Sequence, residues 1–185
     1  DSTPGGLDGA VGGGLLDLIS NGYFERQNNL YNAPGVKALG LTASGGVISD
    51  YTDPGSGNVY RAHIFTSTGT FEVTAPGNYG DTVEYLVVAG GGGGAGSSGS
   101  NTAPGGGGGG GGFRTSVPGG SGGGGSSESA VPVSTSPGSY PVVVGAGGAF
   151  GRGASPAPGN GTNGTRGGDS TFGGPTFTDV TSTGG

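Results

Sequence analysis

Few side chains in this sequence are of a type and spacing that could do chemistry. The single histidine, His63, lies between Arg61 and Phe65 in an alternating run. The composition is compatible with a Ser–His–acid triad, but no nucleophile elbow appears, and His63 on its strand beside Arg61 and Phe65 is expected to be structural. Asp50, Asp53 and Asn58 offer oxygen ligands for calcium, but the distal glutamate of an EF-hand loop is missing and turn capping is expected instead. Gly167-Gly168-Asp169 touches the calcium-binding nonapeptide pattern without repeating it. Val87-Val88-Ala89 followed by 90–96 resembles a strand entering G-x-G-x-x-G. A dinucleotide site needs a helix next and an acid about 20 residues on. Here Ser97-Ser98-Gly99-Ser100 follows, and no acid occurs between Glu84 and Glu128. Gly111-Gly112-Phe113-Arg114-Thr115 lacks the lysine and spacing of a P-loop. Asn160-Gly161-Thr162 and Asn163-Gly164-Thr165 are formal glycosylation acceptors, read here as a loop of asparagine and glycine. The expectation is a protein without catalytic residues, cofactor or metal.

The elements that carry these residues are set by an unusual composition. Of 185 residues, 52 are glycine and 12 proline, and Cys, Met and Trp are absent. That excludes a disulfide framework and thiol chemistry. No apolar run approaches the ~18 residues of a membrane helix, so no membrane insertion is expected. The glycines come in runs such as 105–112, which is not the collagen repeat. Residues 1–85 hold 16 glycines and a net charge of −6, whereas 86–185 hold 36 glycines and a net charge of zero. An acidic chain disfavours nucleic acid as a partner.

Three regions are expected. Residues 1–35 form an N-terminal docking segment. Its apolar residues are Leu15, Leu16, Leu18, Ile19, Tyr23, Phe24, Leu30 and Tyr31, with one or two helical turns ended at Asn21-Gly22. They either pack on their own domain or anchor on a partner. Residues 36–89 read as a small antiparallel β-unit of about five strands. Runs 36–41 and 47–51 flank Thr42-Ala43-Ser44-Gly45-Gly46 as a hairpin. In 59–66, Tyr60, Ala62 and Ile64 face one side and Arg61, His63 and Phe65 the other. Phe71, Val73 and Ala75 alternate with Glu72 and Thr74, and 83–88 is the strongest strand. Residues 90–185 form a glycine-rich region with one clear strand, 140–144.

Beyond residue 95 there are twelve large apolar residues, too few to hold some 90 residues in a conventional core. The region is either disordered or packed through its backbone. Glycine allows the second. Three-per-turn extended helices without Cβ can lie side by side, bonded through N–H, C=O and Cα–H groups. The near absence of charge fits that packing better than a solvated tail. The expected fold is therefore mainly β with little helix: a small antiparallel unit followed by packed polyglycine II-like segments.

The order of segments carries a resemblance. The strand pair in 59–73 is followed by Val83-Glu84-Tyr85-Leu86-Val87-Val88-Ala89 and polyglycine. Then come Phe113-Arg114-Thr115, a strand into Val144-Gly145-Ala146-Gly147-Gly148, and Gly168-Asp169-Ser170-Thr171-Phe172-Gly173. Over about 58–185 this resembles the glycine-rich domain of tail-fibre-like and other virion structural proteins of marine bacteriophages, cyanophages among them. The resemblance implies a non-enzymatic virion appendage, a homotrimer or higher, bound to other virion proteins and presenting loops to a host surface receptor. A head-associated fibre or capsid decoration protein is the alternative within a virion. A self-assembling extracellular filament or matrix subunit is the alternative outside one.

Overall fold

The computed structural model describes residues 39–78, 80–99, 104–118, 120, 125–154 and 159–185. The chain divides into two units, 1–40 with 77–79, and 41–76 with 80–185. The eight apolar residues of the expected docking segment lie outside the described residues. In the first unit the Leu39 N–H donates to Asn78 Oδ1 at 2.8 Å and the Asn78 N–H to Leu39 O at 2.9 Å.

The second unit is mainly β, with no helix among the described residues. Its strands are β1 (Thr42–Ser44), β2 (Val47–Thr52), β3 (Val59–Ile64), β4 (Gly69–Ala75), β5 (Thr82–Val83), β6 (Leu86–Val88), β7 (Phe113–Thr115), β8 (Val131–Pro132), β9 (Ser139–Val143), β10 (Ser170–Phe172) and β11 (Val180–Ser182). All pairings are antiparallel. A five-stranded sheet runs β1-β4-β9-β10-β11, with three two-stranded sheets, β2-β3, β5-β8 and β6-β7.

The period-two runs explain the core. In β4, Phe71 and Val73 point inward and Glu72 and Thr74 outward, as the alternation predicts. Tyr140 of β9, Phe172 of β10 and Val180 of β11 join them on the inner face, and Tyr85, Val87, Val131 and Val133 close it from the other side. Tyr140 is fully buried. It stacks on Phe177 at 5.9 Å between ring centres and lies 6.3 Å from both Phe71 and Phe172. Gly174 makes room for it, since a Cβ there would come within 2.3 Å of the Tyr140 ring.

Three expectations are corrected. The stretch 42–46, expected to be the turn between 36–41 and 47–51, contains β1, which pairs with β4, while β2 pairs with β3; residues 36–38 lie outside the described residues. Gly45 and Gly46, at φ +105° and +65°, switch the chain from the large sheet into the β2-β3 ribbon. The continuous strand 83–88 is split into β5 and β6, which pair with β8 and β7. At the break, Ser116 replaces ladder bonds: its Oγ accepts the Tyr85 N–H at 2.8 Å and its N–H donates to Tyr85 O at 3.1 Å. Residues 90–185 contribute five strands, not one, and the pairs β4-β9, β5-β8 and β6-β7 tie them to the strands before residue 89.

Candidate functional site: a bundle of glycine helices

Beyond β6 the chain leaves the sheet as segment 89–99 and returns as 104–112 into β7. Beyond β9 it leaves as 145–154 and returns as 159–168 into β10. Ala89, Gly92 and Ala95 donate their N–H groups to the carbonyls of Gly112, Gly109 and Gly106 at 2.8–2.9 Å. Gly90, Gly93, Gly96 and Gly99 donate to Gly168, Thr165, Thr162 and Gly159 at 2.9–3.0 Å. The carbonyls of Gly91, Gly94 and Ser97 accept from Gly148, Gly151 and Ala154 at 2.6–3.1 Å. Each series steps by three, and the three series start on successive residues. That is the signature of a three-per-turn extended helix with a neighbour on each of three sides. Two neighbours run antiparallel to 89–99 and one, 145–154, runs parallel. The outer pair is joined as well: Thr162, Thr165 and Gly168 donate to Arg152, Ala149 and Ala146 at 2.8–2.9 Å.

The side-chain pattern follows from that geometry. A Cβ at Gly90, Gly93 or Gly96 would lie 2.1, 1.9 or 2.0 Å from the carbonyl oxygens of Ala146, Ala149 or Arg152. At Gly145, Gly148 and Gly151 it would lie 1.9–2.1 Å from those of Gly168, Thr165 and Thr162. At Gly161, Gly164 and Gly167 it would lie 2.0–2.4 Å from those of Gly96, Gly93 and Gly90. The residues between these glycines face solvent: Phe150, Arg152, Asn163 and Arg166 are all exposed. Thr162 Oγ1 and Thr165 Oγ1 accept the N–H groups of Arg152 and Ala149, each at 2.8 Å. The Asn-Gly-Thr repeats are therefore turns of a packed helix, in place of the expected loop. At about 3.1 Å per residue, segment 89–99 carries the bundle some 30 Å from the β-sheet. Its far end is where Ser97, Gly99, Ala154 and Gly159 meet.

A family model described as glycine-rich domain matches residues 66–185, nearly two thirds of the chain. The chain belongs to this glycine-rich domain family. No curated protein and no solved structure matches it.

Within the glycine-rich domain, the amides that a nucleotide phosphate would need at Gly90, Gly92 and Gly93 are donated to neighbouring segments. His63 Nδ1 sits 2.7 Å from Gly45 O, and its ring meets Phe71 edge-on at 5.1 Å. Asp50 forms a two-point ion pair with Arg61 at 2.7 and 2.8 Å, which lowers the carboxyl pKa. Asp53 caps its own turn through Ser56 and the Gly55 N–H, and its pKa is lowered for that reason. No group of three metal-ligating side chains occurs among the described residues.

One polar cluster escaped the sequence reading. Glu128 accepts from Arg114 Nε and from the Tyr85 hydroxyl, both at 2.7 Å, and also pairs with Arg114 Nη2. Arg114 Nη1 reaches Thr181 O at 3.4 Å. Burial first, then the bond to Glu128, pushes the Tyr85 phenol up to about 12. The bonds from Arg114 and Tyr85 lower the Glu128 pKa. The cluster fastens segment 125–130 to β7, to β11 and to the break between β5 and β6 at the base of the bundle. Its only signal in the sequence is that Glu128 is the one acid between Glu84 and Asp169.

Proposed function

We propose that this chain is a non-enzymatic structural component of a virion, a tail-fibre or appendage part that carries its glycine-rich domain toward a host surface. The observation that carries the reading is the bundle itself. Backbone bonds, helped by the Thr162 and Thr165 hydroxyls, fix four segments and leave Phe150, Arg152 and Asn163 exposed for display. The far end, about 30 Å from the sheet, is a platform for recognition loops. The order of segments described above supplies the virion context. In this reading 1–35 is the docking part that joins other virion proteins, with the eight apolar residues from Leu15 to Tyr31 as its anchor.

The test is to image purified particles with a label on this chain and to count its copies. A small fixed copy number set by the particle's symmetry is expected, at an appendage. Labelling over the head instead would favour a decoration protein. Absence from particles, with the purified chain polymerising alone, would favour an extracellular filament subunit. The observation that favours the filament reading is the β2-β3 ribbon face formed by Val47, Ser49, Tyr51, Tyr60, Ala62 and Ile64, which carries no charge and has its bulky residues exposed.

A further inference from the structure

Residues 183–185 leave β11 and lie against 89–99, between segments 104–112 and 159–168. The Gly112 N–H donates to Thr183 O and the Gly167 N–H to Gly185 O, each at 2.9 Å, and the Gly185 N–H donates to Gly90 O at 3.0 Å. A Cβ at Gly184 would lie 1.9 Å from Gly167 O, and one at Gly185 would lie 2.3 Å from Gly110 O. The place is cut to a bare glycine backbone. Nothing apolar holds that backbone there. Ser182 is buried at 2% exposure, whereas Thr183 beyond it is exposed and the two glycines have no side chain to bury. Few apolar contacts and hydrogen bonds close to solvent mark a segment that opens locally before the rest of a domain.

A side-chain clamp compensates. Asp169 Oδ1 accepts the Gly184 N–H at 2.9 Å, and Arg166 Nε donates to Gly184 O at 3.3 Å. Both backbone polar groups of Gly184 are thus held by one ion pair, Arg166 Nη2 to Asp169 Oδ1 at 2.6 Å, whose side chains are 57% and 45% exposed. The described bonds that join the other glycine segments run between backbone groups, or from backbone N–H to the Thr162 and Thr165 hydroxyls. Salt screens an exposed charge pair and has little grip on neutral backbone bonds.

We propose that 183–185 is a strap across the side groove of the bundle, hinged between Ser182 and Thr183, and that the Arg166–Asp169 clamp makes its closure depend on ionic strength. At low salt the clamp adds to the three backbone bonds and the strap stays down. At high salt those bonds act alone and the strap lifts more often. Lifting bares the Gly112 and Gly167 N–H groups, the Gly90 carbonyl and the floor at Gly92 and Gly109, a groove as wide as one glycine helix. The inference stands on the clamp and is independent of the virion reading.

Residue-resolved amide exchange of the full chain in ~10 mM and ~1 M sodium chloride tests it. Gly112, Gly167 and Gly185 report on the strap, and Gly93 and Gly96, bonded away from it, are internal references. The strap amides are expected to exchange about 3-fold faster, relative to the references, at high salt. Asp169→Ala removes the acceptor and the ion pair together. It is expected to speed the strap amides about 10-fold at low salt and to abolish their salt response. Arg152→Gln, a bundle arginine outside the clamp, is expected to change neither. Circular dichroism verifies that each variant is folded. Strap amides that ignore salt in the parent, a salt response that persists in Asp169→Ala, or references that move together with the strap amides would overturn the proposal.

Discussion

A single Cβ is the sharpest probe of the bundle, because glycine is demanded at some positions and not at others. At Gly93 a Cβ would lie 1.9 Å from Ala149 O, and the neighbour is backbone that cannot step aside. At Gly107 a Cβ would meet nothing within 4 Å. Gly93→Ala is therefore expected to destabilise the domain by about 3 kcal/mol. Gly107→Ala is expected to be neutral or to stabilise by about 0.5 kcal/mol, since it reduces only the freedom of the unfolded chain. Thermal melts of the two variants beside the parent check both, and equal losses at both sites would contradict the packed-helix geometry. The distinction was half legible in the sequence. Runs such as 105–112 hide the step of three, because every position is glycine. In 161–167 the step is in plain view as Gly161, Gly164 and Gly167. The two Asn-Gly-Thr repeats there have the composition of a loop, which masks the helix period.

At the scale of elements, strands were legible where a side chain alternates with a charged or hydroxyl residue, as in β3 and β4. The break within 83–88 was not legible in the sequence, because β5 and β6 pair with different strands and Ser116 and Thr115 finish the ladder by bonding to the backbone of Tyr85. The Tyr85–Glu128–Arg114 cluster then fastens the short β6-β7 pair, and its protons give it a pH dependence of definite sign. In the folded protein the Arg114 and Tyr85 bonds hold the Glu128 carboxyl below its ordinary pKa of 4.5. Its contribution is therefore complete above the unfolded pKa and is lost as pH falls through the folded one. Tyr85 is shifted the other way, from 10.0 to about 12. Its contribution is complete below pH 10 and is lost as pH rises from there through about 12. Tyrosinate absorbance should thus show one phenol ionising near 12 in the folded protein. Glu128→Gln should move that phenol down part of the way, because burial, the larger cause, remains. It should also lower the melting temperature by a few degrees at neutral pH. A Tyr85 titration unmoved by Glu128→Gln would place the whole shift on burial.

For the molecule as a whole, the twelve apolar residues beyond 95 looked too few to order that half, and taken alone they are. The fold solves this by spending five of them, Val131, Val133, Tyr140, Phe172 and Val180, in one core shared with β4, Tyr85 and Val87. Two β-hairpins grow out of that core and continue as glycine helices, so the sheet sets the register that the backbone bonds then propagate. Such an arrangement has an exchange pattern unlike a strand, a helix or a disordered tail. Along 89–96 the N–H groups of Ala89, Gly90, Gly92, Gly93, Ala95 and Gly96 are donated to neighbours, while those of Gly91 and Gly94 are not. Residue-resolved amide exchange should therefore show two slow amides and one fast amide in each turn. The outer segment should differ, because only its carbonyls at Gly106, Gly109 and Gly112 are used on the inner side. No N–H of 105–111 is donated to a described residue. Those seven amides should exchange quickly even though the segment is held in place. Fast exchange throughout 89–96 would mean that the bundle does not form in solution. A step of two would mean a conventional β-ladder in its place. Only a step of three, strong in 89–96 and absent from the amides of 105–111, matches glycine helices packed by their backbones.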